Sequence, residues 1–332
     1  MKPFVSVVMP VRNEADYIER SLSSVLAQDY PADRCEVIVA DGCSTDGTPE
    51  KVMARQTSPP RVRVVPNPGL IAPSGLNAAI AAARGEIIVR VDGHCEIAPD
   101  YLTRCVEHLL NDGVDGVGGP IDTIGETLTA QAIAAAMSSP FGVGGSAFRT
   151  VKDRTILTDT VAFPAYTRQI LDRAGPFDVE LVRNQDDEYN YRLRKMGAKI
   201  LLAADVRSRY YSRGTIKKLF RQYYQYGYWK VRVLQKHPRQ MSPRQFAPPL
   251  FVGSLLGSAL LGLLHPAGFL ILAGISGCYL MADLLASVVV ARRNRWRFLP
   301  LLPFIFATLH LSYGLGFLAG IVKFAHHWRH HG

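Results

Sequence analysis

The sequence predicts an α/β domain built on a mostly parallel central sheet, followed by a helical region that spans a membrane. Three observations lead there. Over residues 1–205, short Val- and Ile-rich runs alternate with helix-forming stretches, which is the pattern of βαβ units. Two of those runs end in an acid, Asp41 and Asp92. Charge and apolarity also divide the chain: after Asp205 the only acidic residue is Asp283, against 17 Lys and Arg. The net charge of +10 in 332 residues is therefore −6 in front, where 27 acids face 21 bases, and +16 behind. A basic, apolar rear suits an anionic membrane surface. It argues against a nucleic-acid partner, whose basic patch would lie on the folded domain.

In chain order, residues 5–9 read as a first strand stopped by Pro10, and Asn13 as the cap of a helix carrying Ile18, Leu22, Val25 and Leu26. Residues 36–40 form a second strand ending at Asp41. A turn-rich loop over 42–47 leads into a helix opened by Thr48-Pro49-Glu50. A third strand covers 61–65, and an alanine-rich helix covers 73–84. The run Glu86-Ile87-Ile88-Val89-Arg90-Val91 then reads as a buried parallel strand. The Gly-rich stretches 116–120 and 142–146 are expected to be loops lining the site, and 160–163 a further strand.

Ligands of open α/β sheets sit outside the carboxyl ends of the strands. Asp92 and His94, one residue apart at such an end, can reach one divalent ion through a carboxylate oxygen and a neutral imidazole. An ordinary turn Asp beside a surface His is the alternative. Neither G-x-G-x-x-G nor G-x-x-x-x-G-K-[ST] occurs, which disfavours dinucleotide oxidoreductases and P-loop NTPases. Something else must offset phosphate charge, and a metal would serve. Further on, Asn184 precedes Gln185-Asp186-Asp187-Glu188. Acids in a first helical turn are favoured by the helix dipole, which is one sufficient reason for them. A carboxylate kept ionised there as a general base is the other.

The segments Val7-Val8-Met9-Pro10-Val11-Arg12-Asn13-Glu14, Asp41-Gly42-Cys43-Ser44-Thr45-Asp46-Gly47-Thr48, Asp92-Gly93-His94 and Gln185-Asp186-Asp187-Glu188, in that order, resemble the family 2 glycosyltransferases. Within that family the chain looks most like the membrane-anchored enzymes of succinoglycan-type exopolysaccharide assembly, over roughly residues 4–235. The resemblance implies a GT-A fold, a nucleotide-sugar donor, usually a divalent cation (Mn²⁺ or Mg²⁺), and inversion at the anomeric carbon. It implies that Pro10, Arg12, Glu14 and Asp41 hold base and ribose, with Asn77 and Asp92 also at the nucleotide sugar. The metal motif D-x-D falls on Asp92-Gly93-His94, so His94 stands where the second acid would be. The catalytic E-D pair falls on Gln185-Asp186, making Asp186 the base, with Gln185, Asp187 and Glu188 as acceptor or supporting residues. The processive Q-x-x-R-W signature is absent; Gln225-Tyr226-Gly227-Tyr228-Trp229-Lys230 lies near its place. One sugar per acceptor is the expectation.

The rear half divides further. Residues 206–244 hold 11 Lys or Arg, no acid, and interleaved Tyr and Trp, which suits a helix in a membrane interface. Apolar stretches at 248–264, 267–291 and 298–322 can each cover about 30 Å of hydrocarbon. Arg292, Arg293, Arg295 and Arg297 separate the last two, and the positive-inside rule puts that loop in the cytoplasm with the catalytic domain and the tail, 323–332, outside. Asp283 and His310 are expected to form a buried pair that fixes helix packing, with a lipid-phosphate contact as the alternative, and Gly316-x-x-x-Gly320 to pack helices. The expected domains are 1–205 catalytic, 206–245 interfacial and 246–332 transmembrane. The odd set of cysteines (Cys35, Cys43, Cys95, Cys105, Cys278) suggests reduced thiols, and the N-terminus does not read as a signal peptide.

The function expected is transfer of a hexose from a nucleotide-diphosphate sugar, UDP-linked, to a polyprenyl diphosphate saccharide at the bacterial inner membrane. The rival readings are a polyprenyl-phosphate sugar transferase and a membrane-tethered nucleotide-sugar-binding subunit without turnover.

Overall fold

The structure, a computed structural model, describes residues 2–55, 60–212 and 214–330. The last two residues of the expected outer tail fall outside them. The first part of the chain runs β1 (Val5–Val11), α1 (Ile18–Leu26), β2 (Cys35–Asp41), α2 (Thr48–Met53), β3 (Arg61–Pro66), α3 (Ala72–Ala82) and β4 (Ile87–Arg90). Next come β5 (Cys95–Ile97), α4 (Tyr101–Asn111), β6 (Gly116–Gly119), β7 (Ile121–Ile124), α5 (Leu128–Met137), α6 (Pro140–Val143) and α7 (Ala147–Thr150). Then follow β8 (Ile156–Leu157), β9 (Ala162–Thr167), α8 (Arg168–Ala174), α9 (Gln185–Lys195), β10 (Ile200–Leu202) and β11 (Ser208–Tyr211). The rear holds α10 (Ile216–Lys236), α11 (Ala247–Leu264), α12 (Ala267–Arg293) and α13 (Leu302–Lys323).

Two compact units result. The first comprises residues 1–122 and 147–211, and the second 123–146 and 212–332. These boundaries differ from those drawn at 205 and 245. The apolar helix α5 lies in the second unit, where Ile133, Ala136 and Met137 share a buried cluster with Phe306 and Leu309. Gly142 to Ser146 go with it. Residues 208–211 form β11 of the first unit and pair with β5, so Tyr210 and Tyr211 do not start an interface helix.

The first unit holds an eight-stranded sheet in the order β3-β2-β1-β4-β9-β6-β10-β8. β1 pairs in parallel with β2 and with β4, as alternation predicts. Side chains of β1 alternate between two faces. Val5, Val7 and Met9 pack with Ile18, Leu22 and Leu102, while Val8 packs with Leu76, Ile170 and Leu193. The sheet is nevertheless mixed, because β9 runs antiparallel to both β4 and β6. Residues 116–119, read as a loop, are a buried strand. Their glycines allow a close crossing: a Cβ on Gly116 would lie 2.9 Å from the Tyr166 ring, and one on Gly118 2.7 Å from the Ala162 carbonyl.

In the second unit α11, α12 and α13 are each long and apolar enough to cross a membrane, over Pro243–Leu264, Ala267–Arg293 and Leu302–Lys323. His265-Pro266 breaks the first from the second, as expected. The third helix begins later than residue 298, after a 3₁₀ turn at Trp296–Phe298, with proline in its first turn. α10 packs on α13 through Leu219, Tyr223, Gly227 and Val231. Gly316 and Gly320 meet the backbone of Tyr224 and Tyr228, the small-residue packing the sequence suggests. Asp283 and His310 do not pair directly. Asp283 accepts a hydrogen bond from Ser287 on its own helix (3.2 Å), and His310 bonds the Tyr279 hydroxyl (2.9 Å) and the Phe141 carbonyl (2.8 Å).

Candidate active site

Parallel register brings the acids to one edge. Val11 lies opposite Asp41, and Val8 opposite Arg90, so the chain leaving β4 carries Asp92 to the same carboxyl end as Asp41. The Asp92 carbonyl is pinned there by Ser21 Oγ at 2.9 Å.

Arg90 is the group that sequence reading missed. Its side chain is 11 % exposed, and its guanidinium serves two carboxylates. Nε and Nη2 donate to the two oxygens of Asp92, at 2.9 and 3.2 Å, and Nη1 donates to Asp186 Oδ1. Asp186 comes from the first turn of α9, so the structure joins the two acids that the resemblance had put in separate motifs. One signal was available: an arginine inside an otherwise apolar, buried run needs an acidic partner nearby.

The two carboxylates are driven apart in proton affinity. Desolvation pushes both upward. At Asp92 the charges of Arg90 and His94 outweigh it, and the pKa falls below the usual carboxylate value. At Asp186 desolvation prevails over Arg90, with Asp92 and Asp187 adding to the rise, and the pKa ends above it. Carboxylates with opposed shifts are how acid and base roles divide in an active site.

His94 Nδ1 lies 2.9 Å from Glu14 Oε1, with the Tyr210 ring edge-on at 5.3 Å between centroids. Burial disfavours the charged ring, yet the hydrogen bond to Glu14, with Tyr210 and the charges of Glu14 and Asp92, lifts its pKa to about 9. Among the described residues no group of three or more His, Cys, Asp or Glu forms a ready metal cage. The donor chemistry of Asp92 and His94 still fits a divalent cation. Metal-ligating histidines give their other N–H to a carboxylate, as His94 gives Nδ1–H to Glu14, and the remaining ligands would be phosphate oxygens of the donor.

The other candidates divide. Asp41 Oδ2 accepts from Ser44 N at 3.1 Å, while its buried Oδ1 has no partner and is free to receive a ligand N–H. Arg12 is exposed and donates to the Leu70 carbonyl at 3.3 Å; Pro10 lies in β1 opposite Ala40. Asn77 spends its amide on the backbone of Phe177, at 2.9 and 2.7 Å. Glu188 is buried and salt-bridged to Arg192 (2.6 Å), which gives it a structural task. Gln185 is buried beside Asp186, and Asp187 is partly exposed.

Asn13 does not cap α1. It takes a left-handed conformation (φ 53°), donates its N–H to Ser44 Oγ, and accepts from Thr45 N, each at 2.9 Å. Glu14 N donates to Thr48 Oγ1 and Ala15 N to Asp46, again at 2.9 Å. The turns after β1 and β2 thus hold each other through short polar side chains.

Comparison with known proteins gives a consistent picture. The family model described as Glycosyl transferase family 2 matches residues 6–175. The chain is 33 % identical over 240 residues to succinoglycan biosynthesis protein ExoA of Rhizobium meliloti (strain 1021), covering 70 % of each. It is 28 % identical over 335 residues to the dolichyl N-acetyl-alpha-D-glucosaminyl phosphate 3-beta-D-2,3-diacetamido-2,3-dideoxy-beta-D-glucuronosyltransferase of Methanococcus voltae, covering 96 % of this chain and 98 % of that one. Among solved structures, the mannosyltransferase PcManGT of Pyrobaculum calidifontis, in complex with GDP-Man and Mn²⁺, aligns with a TM-score of 0.61 at 22 % identity over 97 % of this chain and 88 % of that one. S. aureus TarS 1-349 with UDP aligns at 0.54 and 19 %, over 96 % and 92 %. At these identities the two structures speak for the fold, which is GT-A.

Proposed function

The chain belongs to glycosyl transferase family 2, and from that premise we propose that it moves a hexose from a UDP-sugar, with inversion, onto a lipid-linked saccharide at a cytoplasmic membrane. The observation that carries the reading is the shared guanidinium. Asp92 and Asp186 meet through Arg90, with the proton affinity of one lowered and of the other raised. Asp186, the stronger proton acceptor, takes the proton of the attacking hydroxyl as the new bond forms. Such general-base help is typically worth about 10²–10⁴ in rate.

Asp41 receives a base N–H on its open Oδ1, with Arg12 and Pro10 completing the nucleotide end. Asp92 and His94 would hold Mn²⁺ or Mg²⁺, which when bound neutralises the leaving diphosphate as a Lewis acid. Arg90 keeps Asp92 ionised for that purpose and holds Asp186 in place before substrates arrive. Gln185, Asp187 and Glu188 support the turn that presents Asp186.

Among the described residues, three helices of spanning length support membrane anchoring. By the positive-inside rule the four arginines at 292–297 support a cytoplasmic side for that loop, and this reading takes the catalytic unit to be on the same side. The acceptor's lipid is then delivered along the surface on which the enzyme sits.

The test is UDP release by the purified full chain in nanodiscs, crossing several nucleotide sugars with lipid-linked saccharides, with and without Mn²⁺ or Mg²⁺. Release that needs one donor, one lipid saccharide and the cation supports the reading. No release with any lipid saccharide, while UDP-sugars still bind, would replace it by a binding subunit.

A further inference from the structure

Glu14, which the resemblance puts at the nucleotide, has a histidine as its side-chain partner. Its carboxylate lies 2.9 Å from His94 Nδ1, and neither side chain is more than 21 % exposed. The contact is built from four segments. The Glu14 carbonyl accepts from Tyr17 N (2.9 Å) and Ile18 N (2.8 Å) as α1 begins, and its own N–H is held by Thr48 Oγ1. Gly93 opens the space between the partners, since a Cβ there would lie 3.0 Å from Glu14 Cγ and 3.1 Å from Val11. Tyr210 limits the imidazole from another side.

An ionised carboxylate has no proton to give, so Nδ1 must be the donor and Nε2 is the nitrogen left to bind something else. We propose that Glu14 is a positioning residue: by holding His94 Nδ1–H it presents Nε2 to the divalent cation, so the turn after β1 sets the cation affinity of the Asp92-Gly93-His94 loop. The proposal rests on the reading of Asp92 and His94 as the cation's protein ligands. In this role Glu14 acts on the cation through His94. Losing such a carboxylate behind a metal-bound histidine typically costs about 10–100-fold in affinity.

Two affinities test it, both measured on the full chain in nanodiscs. Mn²⁺ binding is read from the electron paramagnetic resonance signal of free Mn²⁺ at fixed pH and saturating UDP, and UDP binding is read by calorimetry in EDTA. Glu14→Ala and His94→Ala should each weaken Mn²⁺ by about 10-fold or more. Glu14→Gln, whose side-chain carbonyl still accepts from Nδ1–H, should keep most of the affinity, and UDP binding in EDTA should stay unchanged in both Glu14 variants. Should Glu14→Ala not fold, Glu14→Asp, one methylene too short to reach the ring, carries the same expectation. If His94→Ala weakens Mn²⁺ and the Glu14 variants do not, the positioning role is overturned while the cation reading stands. If neither changes Mn²⁺ affinity, both fall. Loss of UDP affinity in EDTA on Glu14→Ala would return Glu14 to the nucleotide and also overturn the proposal.

Discussion

Asp92 and Asp186 accept hydrogen bonds from two parts of one guanidinium, the Nε–Nη2 edge and the Nη1 corner of Arg90. Two like charges that would repel each other are thereby held at one mouth by a single fixed cation. Their proton affinities separate because Arg90 and His94 dominate at Asp92, whereas desolvation dominates at Asp186.

Replacing Asp186 by Asn keeps an oxygen for Arg90 and removes the proton acceptor. Turnover should fall about 10²–10⁴-fold with donor KM nearly unchanged. Near-normal turnover would mean that the acceptor brings its own anionic oxygen, as a polyprenyl phosphate does, and needs no base.

Arg90 lowers the pKa of both carboxylates. In Arg90→Met both should rise. Because the base works deprotonated, the acid limb of the kcat/KM profile should then move to higher pH. Lysine should not restore it, since a single ammonium lacks the planar fork that serves two acids. An acid limb that stays in place would disconnect Arg90 from the reacting proton.

Glu36 is fully buried in β2 and accepts from Ser6 Oγ (2.8 Å), Arg84 N (2.8 Å) and Arg63 Nη2 (3.0 Å). Desolvation works against its charge, but these bonds and the charges of Arg63 and Arg84 depress its pKa below 4.5. A depressed carboxylate adds stability above its unfolded pKa and loses it as pH falls through the folded value. Glu36→Gln should therefore cost about 1–3 kcal/mol near neutrality, with the deficit shrinking under acid. Denaturation across pH in detergent measures it, and a deficit independent of pH would sink the account.

A Cβ on Gly316 would stand 2.0 Å from the Tyr224 carbonyl, and one on Gly227 equally close to that of Tyr313. Gly316→Leu should separate α10 from α13, at a cost of about 1–3 kcal/mol. The thermal midpoint in detergent should drop by several degrees. An unchanged midpoint would show that this contact contributes little.

The front sheet was legible because apolar period and turn residues announce β1 to β4 directly. The direction of β9 was not, since strand orientation leaves no mark in a short run such as Ala162 to Thr167. Gly116 to Gly119 read as a loop because three glycines around the single buried Val117 leave too little apolar signal; the reason for Gly116 is the Tyr166 ring lying against it. At the mouth, Asp92 and Asp186 were legible as acids at element ends. Arg90 was hidden by its apolar neighbours, and Asn13, read as a helix cap, ties the turns after β1 and β2 instead, because the same short polar atoms that cap helices also tie turns.

That tying of turns has a practical consequence for anyone redesigning donor choice. Asn13, Ser44, Asp46 and Thr48 form one knot, so randomising them would unravel the cradle before it altered selectivity. Arg12, exposed beside the knot, can vary without loosening it, whereas Cys43 has a left-handed backbone (φ 54°) that suits Gly, Asn or Asp. A library centred on Arg12, with Cys43 limited to residues that accept that backbone, leaves the scaffold intact.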